Sequence, residues 1–329
     1  MSGYIVRRLL SMVLMLLLLT LVVFLLFSVL PGDPARLTCG KACTPAIIEA
    51  NRHRLGLDLP VWQQYWEFLK GIFFGRTYGS GTQTFECNAP CLGYSFKRNE
   101  DVTTIIKDAF PPTFWLATGA FIMWIVVGVS VGIYAALRRG KWQDKTVMGI
   151  SLIGYSLPSF FIGLVLLFVV VLKWQLLPYP NYVSPFENPQ QFFSSMILPW
   201  IVLAILYAAF YMRLTRNQML DTLGEDYIRT ARAKGLSERI VVRKHALRAG
   251  LTPIVTAAGL DLAGLLGGAI ITESIFSLPG LGSLAVNSVT DSDLPLIVGI
   301  TLVTATFIIV ANLIVDLLYA VIDPRVRLV

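Results

Sequence analysis

Few side chains in this 329-residue chain have both the type and the company to do chemistry. Four cysteines form two Cys-x3-Cys pairs, Cys39 with Cys43 and Cys87 with Cys91. Thiols so placed close disulfides or hold Zn²⁺, whose structural sites space their ligands roughly two to four residues apart. Two acids, Asp261 and Asp316, interrupt long apolar runs, where a buried carboxylate costs about 2.5–3.5 kcal/mol and has to face protein or a wet cavity. Such an acid lines a pathway or relays protons, or it simply accepts a hydrogen bond from a neighbouring helix. No further acid, His or Lys continues a chain across the runs, which favours the hydrogen bond and leaves Asp261 as the candidate pathway residue. His53 and His245 lie outside the runs, so neither a metal centre nor a catalytic constellation is expected. A Gly-x4-Gly-Lys-Ser/Thr phosphate loop is absent, so the chain does not bind ATP by that route. The densest polar segment is 215–250, with eight Lys/Arg and four Asp/Glu in 36 residues.

The elements that have to position these groups are membrane helices. The chain is 55% hydrophobic and 14% charged, with mean hydropathy +0.68, too little charge for the surface of a soluble domain of this length. Six apolar runs fit the roughly 20 helical residues that cross a bilayer: Leu9–Leu30, Thr113–Leu137, Val147–Leu172, Met196–Met212, Leu251–Thr272 and Leu294–Val315. Each is expected to be helical, because backbone groups in lipid need internal partners and no alternating barrel pattern occurs. The first run has 22 uncharged residues and no small-x-small site after it, which marks an uncleaved anchor.

Basic residues fall before span 1, between spans 2 and 3, between spans 4 and 5 and after span 6, in numbers 2, 4, 9 and 2. The loops 173–195 and 273–295 hold only Lys173, so both termini are expected in the cytoplasm. The segment 31–112 also has nine basic residues, but long segments translocate largely regardless of charge. The net charge of +7 thus follows from topology, and no nucleic-acid partner is expected. The expected division is 1–30, N-terminus and first span; 31–112, an extracytoplasmic domain stapled by disulfides; 113–320, the helical core containing the loop 215–250; and 321–329, a cytoplasmic tail.

All four cysteines fall in that external segment, where an oxidising compartment and an even count favour two disulfides; three pairings remain open. Pro31-Gly32-Asp33-Pro34 forces a turn, and Thr44-Pro45 caps a helix ending near Leu55-Gly56. Trp62, Tyr65, Trp66 and Leu69 share one face of the next helix, a packing stripe or an interfacial belt. Residues 75–100 read as a stapled loop. Pro158 and Pro199 are expected to kink spans 3 and 4. Gly259, Gly264, Gly267 and Gly268, with Ala257, Ala258, Ala263 and Ala269, give span 5 a small-residue face for close approach, either within the chain or to a similar subunit.

Within 215–250, Glu225-Asp226 begins a short helix, and Asp226 is expected to cap it. Tyr227, Ile228, Ala231 and Leu236 form an apolar edge, and Arg229, Arg232 and Lys234 project as cations. Gly235 suits a left-handed helix end, after which Ser237 and Glu238 cap a second helix towards Gly250. Positive-inside topology or rest on anionic lipid explains the charge but not the Ala-rich helix, the Gly stop or the length, so docking to a soluble protein is the better reading.

The run Tyr227-Ile228-Arg229-Thr230-Ala231-Arg232-Ala233-Lys234-Gly235-Leu236, followed by His245-Ala246-Leu247-Arg248 and Pro253, resembles the coupling (EAA) loop of ABC importer permeases. It is closest to the first permease subunit of the dipeptide/oligopeptide/nickel group. Leu30-Pro31-Gly32-Asp33-Pro34-Ala35, Leu55-Gly56-Leu57-Asp58-Leu59-Pro60, Glu273-Ser274-Ile275-Phe276-Ser277-Leu278-Pro279-Gly280-Leu281-Gly282 and the ending around Asp323-Pro324-Arg325 resemble the same group along the whole chain. Against the general motif, Arg229 replaces Glu and Thr230 replaces Ala, changes common in the peptide subgroup. Gly75-Arg76-Thr77-Tyr78-Gly79-Ser80 and the four cysteines depart from it.

The resemblance implies an all-α integral membrane protein with six transmembrane helices, of the type I ABC importer kind, in the bacterial cytoplasmic membrane. It further implies a second homologous permease, two ATPase domains that hold the ATP and Mg²⁺, and an external substrate-binding protein. A coupling helix at about 225–239 would carry ATPase motion to the path. Di- and oligopeptides are the expected cargo, with nickel, glutathione or haem-like compounds as alternatives. Glu273, Leu278, Pro279, Gly280, Asp291 and Asp293 are expected at an external gate or binding-protein contact. A stand-alone ion-coupled carrier or channel is the competing class, and it wants polar groups in series across the spans.

Overall fold

The computed structural model describes residues 2–29, 35, 44–80 and 83–322; Cys39, Cys43, the turn 31–34, the tail 323–329 and the side chain of Asp316 lie outside the described residues. Four of the expected spans lie in single helices and the third in a bent pair; the fifth begins in the second arm of another bent pair, whose first arm belongs to the expected loop 215–250. The single helices are α1 (Ser2–Val29), α4 (Val102–Leu137), α7 (Pro189–Gly224) and α13 (Leu294–Ile322). The first bent pair is α5 (Trp142–Ser156) with α6 (Ser159–Lys173), which meet at 94°. The second is α9 (Glu238–Gly250) with α10 (Thr252–Leu266), which meet at 47°. Pro158 does more than the expected kink. Lacking an N–H and constraining Leu157 to extended backbone, it ends α5 and starts α6 afresh. Pro199, by contrast, is carried inside one continuous helix, as are Pro111 and Pro112.

The core is the contact between α4 and α7, each 36 residues long. Trp124 of α4 is fully buried and stacks on Tyr207 of α7 with centroids 4.5 Å apart. Gly128 and Gly132 make the approach possible: a Cβ at Gly128 would lie 2.7 Å from Tyr211 Cβ, and one at Gly132 would lie 2.7 Å from the Met212 carbonyl. Gly259 and Gly267 do the same for α10 against Val315 and Thr304 of α13, so these two positions of the small-residue face are used within the chain; Gly264 faces open space.

Between α1 and α4 lie α2 (Pro45–Leu55), α3 (Val61–Phe74) and two antiparallel ladders, β1 (Arg76–Ser80) with β2 (Gln83–Cys87) and β3 (Tyr94–Ser95) with β4 (Glu100–Asp101). The stapled loop expected at 75–100 is therefore ordered as strands, closed by a Cys87–Cys91 disulfide and filled by Tyr78, Phe85, Tyr94 and Phe96. The aromatic stripe on α3 divides. Tyr65 turns to α1, with its hydroxyl 3.0 Å from Thr20 Oγ1, while Trp62 and Trp66 are 69% and 63% exposed, as an interfacial belt would be.

At the end of the core that carries 138–144, a buried ion pair fixes α5 to α7. Arg216 donates from Nε and Nη2 to the two Asp144 oxygens, both at 2.8 Å, and the Gly140 N–H adds a third bond at 3.0 Å. The Asp144 side chain is 5% exposed and Arg216 22%, so the pair is sheltered from water. Arg216→Ala strands a buried carboxylate, which costs about 3–5 kcal/mol when a sheltered pair is broken. Thermal unfolding in detergent should show a lower midpoint for Arg216→Ala, with Arg216→Lys in between because the two-pronged geometry is lost. An unchanged midpoint would remove this pair from the account.

Candidate functional site

Three places collect the residues singled out above: the surface around Gly235, the buried acid at Glu273 and the cavity beside Asp261.

The first is built from α8 (Asp226–Ala233) and α9. Gly235 stands at φ +75°, and the helix closes as expected: the Gly235 N–H donates to Arg232 O and the Leu236 N–H to Ala231 O. The caps differ from expectation. Glu225 precedes α8 without a side-chain bond, while the Asp226 carbonyl accepts the Thr230 hydroxyl at 2.9 Å. Ser237 makes no cap bond either, and Glu238 is taken by the Arg232 fork at 3.0 and 2.7 Å. That fork holds the Glu238 carboxyl below the usual carboxylate range.

The apolar edge also divides. Ile228 and Ala231 are buried against Ala136 of α4, Met219 of α7 and Val241, Val242 and Ala246 of α9. Tyr227 and Leu236 stay 45% and 38% exposed. Arg229 is held by Asp226 at 3.4 Å in an exposed pair, and Thr230, Ala233 and Lys234 face outward. One side of α8 is therefore clamped to the two longest helices, and the other is a free surface of one aromatic and several cations.

At the opposite end, Glu273 is fully buried, so the expectation that it touches a partner at a gate does not fit its position. It lies in α11 (Ile270–Ile275), and its carboxylate accepts from Thr113 Oγ1 at 2.9 Å, the Ala269 N–H at 3.2 Å and the Ser283 N–H at 2.9 Å. Thr113 in turn accepts from the Leu281 N–H at 2.8 Å. Together they serve the first N–H groups of α12 (Leu281–Thr290), which have no partner inside the helix. Leu278 is buried beside this cradle and Pro279 is exposed. Asp293 is buried with the Ser95 hydroxyl, and Asp291 is an exposed partner of Arg98 at 4.0 Å. Pro279 and Gly280 line a cleft of about 320 Å³ with Arg98, Glu100 and Asp108, so the exposed part of the expected contact is this cleft rim.

In the middle, the Tyr211 hydroxyl donates to Asp261 Oδ2 at 2.6 Å, the bond to a neighbouring helix that the sequence favours. The same acid lines a cavity of about 620 Å³ at the α5–α6 break. Thr113, Asp144, Arg216 and Tyr211 were not singled out in sequence. Their partners lie 160, 72, 72 and 50 residues away, a separation that no local pattern reports. Among the described residues no group of His, Cys, Asp and Glu could hold a metal.

The chain is a multi-span helical membrane protein with a clamped surface helix at one end and a capped loop at the other. Residues 128–328 match the binding-protein-dependent transport system inner membrane component family, and residues 1–117 match the N-terminal region of that membrane component; the chain belongs to this family. It is 40% identical over 329 residues to the glutathione transport system permease protein GsiC of Pectobacterium atrosepticum, covering 99% of each chain. To the dipeptide transport system permease protein DppB of Escherichia coli K12 it is 39% identical over 336 residues, covering 94% of each. Its fold matches that of a chain in the inward-facing MetNI methionine ABC transporter, with TM-score 0.52 and 18% identity over 67% of this chain and 97% of that one. The protein is thus a permease subunit with the type I ABC importer fold, a membrane component and not itself an enzyme.

Removing the Glu273 side chain leaves the Ala269 and Ser283 N–H groups without acceptors at about 1–3 kcal/mol each. A Cβ at Gly280 would lie 2.5 Å from both Glu273 Cδ and Thr113 Oγ1, with its backbone in an ordinary extended conformation. Glu273→Ala and Gly280→Ala should each lower the unfolding midpoint, and the double variant should lose less than the sum because both act on one cradle. Additive losses would show that the two residues act separately.

Proposed function

We propose that this permease imports di- or oligopeptides, glutathione among them, in a complex with a second homologous permease, two ATPase domains and an external binding protein. ATP and Mg²⁺ belong to the ATPases. The basic end faces the cytoplasm with both termini, and the disulfide-bearing segment lies outside. The functions of these two relatives, dipeptide and glutathione transport, support the cargo class. The placement of Lys/Arg supports the orientation.

The observation that carries the coupling role is the two-sided helix α8. Its outer side, with Tyr227, Arg229, Thr230, Ala233 and Lys234, is free to seat in an ATPase groove. Its inner side, Ile228 and Ala231, is buried in one cluster with residues of α4, α7 and α9. A displacement of α8 is then passed to both long helices, since close-packed interiors transmit shifts and do not absorb them.

Gly235→Trp tests this. Among the described residues nothing lies within 4 Å of a Cβ at that position, so the substitution points into open space. The left-handed backbone adds only about 1–2 kcal/mol. The variant should insert and fold, yet show at least a tenfold loss of ATP-driven peptide uptake when reconstituted with its partners. Normal uptake would defeat the docking role, and loss of insertion would show that Gly235 serves the fold alone.

A further inference from the structure

The break between α5 and α6 opens the 620 Å³ cavity, whose wall includes Tyr155, Ser156, Tyr207, Phe210, Asp261 and Ile271. Its volume lies in the range of small-molecule sites, about 300–1,000 Å³. Asp261 is nine residues beyond Thr252 in α10, about 13–14 Å along the axis and so near the middle of a hydrocarbon layer of roughly 30 Å. At that depth a carboxylate is costly, and the fold supplies it with one donor, the Tyr211 hydroxyl. An ionised carboxylate has room for about four hydrogen bonds. No Lys, Arg or His forms an ion pair with it among the described residues. A bond that only tied α10 to α7 would need neither the charge nor the cavity, and a neutral amide would serve.

The wall includes both the carbonyl end of α5, at Tyr155, Ser156 and Leu157, and the amide end of α6, at Pro158, Ser159 and Phe160, so the two helix poles offset each other and the sign of the guest is left to Asp261. Tyr155 and Phe210 are 56% and 40% exposed, which leaves aromatic faces open to a cation. Discontinuous spans whose freed backbone groups line a midplane cavity are a recurrent way of holding a charged group within a bilayer.

We propose that Asp261, with the aromatic faces of Tyr155 and Phe210, forms a midplane subsite for the primary ammonium group of the cargo. Small peptides and glutathione both carry such a group. The subsite rests on the permease reading above and deepens it, by assigning this cavity to the wall of the path and naming the chemistry the path selects.

The test uses the whole complex in proteoliposomes. Ser156→Cys places a thiol on the cavity wall, and its reaction is timed with a cationic aminoethyl and an anionic sulfonatoethyl methanethiosulfonate. Relative to free cysteine, the cationic reagent should be favoured at least tenfold; adding Asp261→Asn should abolish the preference, and Asp261→Glu should keep it. In parallel, uptake of labelled alanyl-alanine or glutathione should fall at least tenfold in Asp261→Asn and return in Asp261→Glu. A preference indifferent to residue 261, or full uptake by Asp261→Asn, would overturn the subsite. If the unmodified complex shows no ATP-driven uptake of either probe, the cargo reading fails, while the thiol rates still decide whether the cavity selects cations.

Discussion

The contact between α4 and α7 is the constraint on which the rest depends. It is made by two 36-residue helices brought together at Gly128 and Gly132. Lipid offers no hydrophobic drive for helix association, so close backbone approach and buried aromatics such as Trp124 and Tyr211 have to supply it. Both helices extend past the apolar layer. Thr113 of α4 joins the Glu273 cradle, and Ala136 of the same helix joins the cluster under Ile228. These residues are 23 positions apart, or about 34 Å along one rod. A single helix thus connects the loop at one end of the molecule to the surface helix at the other.

The polar groups follow a division of labour set by desolvation. Where a charge is sheltered, as at Asp144 and Glu273, it is met by several donors and holds elements together. Where charges are exposed, as in Arg229 with Asp226, the pair adds little to stability and the side chains remain available to a partner. Asp261 fits neither group: it lies within the bilayer span, with one donor and a cavity.

Much of this was legible in the chain. The six apolar runs fall on four single helices and two bent pairs, and Gly235 closes its helix as its neighbours require. Local patterns failed where a distant partner decides. The length of α4 back to Val102 depends on packing of Val102 and Ile105 against Leu281, Leu296 and Ile300. The order in 75–100 depends on an aromatic cluster and a disulfide that composition alone reads as loop. The inward turn of Ile228 depends on Met219 and Val241, so an apolar edge that looked ready for a partner is occupied within the chain. Glu273 was expected at an external contact because it opens the segment 273–295, which has no Lys or Arg, and the partner that meets it when buried, Thr113, is 160 positions away.

The right-angle break at Leu157-Pro158 also bears on how the molecule is made. Each arm has 15 residues, about 22 Å of helix, short of the roughly 30 Å that a lipid core presents. Neither arm satisfies a bilayer as an independent unit during synthesis. Gly163 of the second arm packs on Ile275 and Gly154 of the first on Ala209, and both partners are translated later. The break is therefore written locally, at Leu157-Pro158, while the contacts that hold its two arms in place come from segments that leave the ribosome after it.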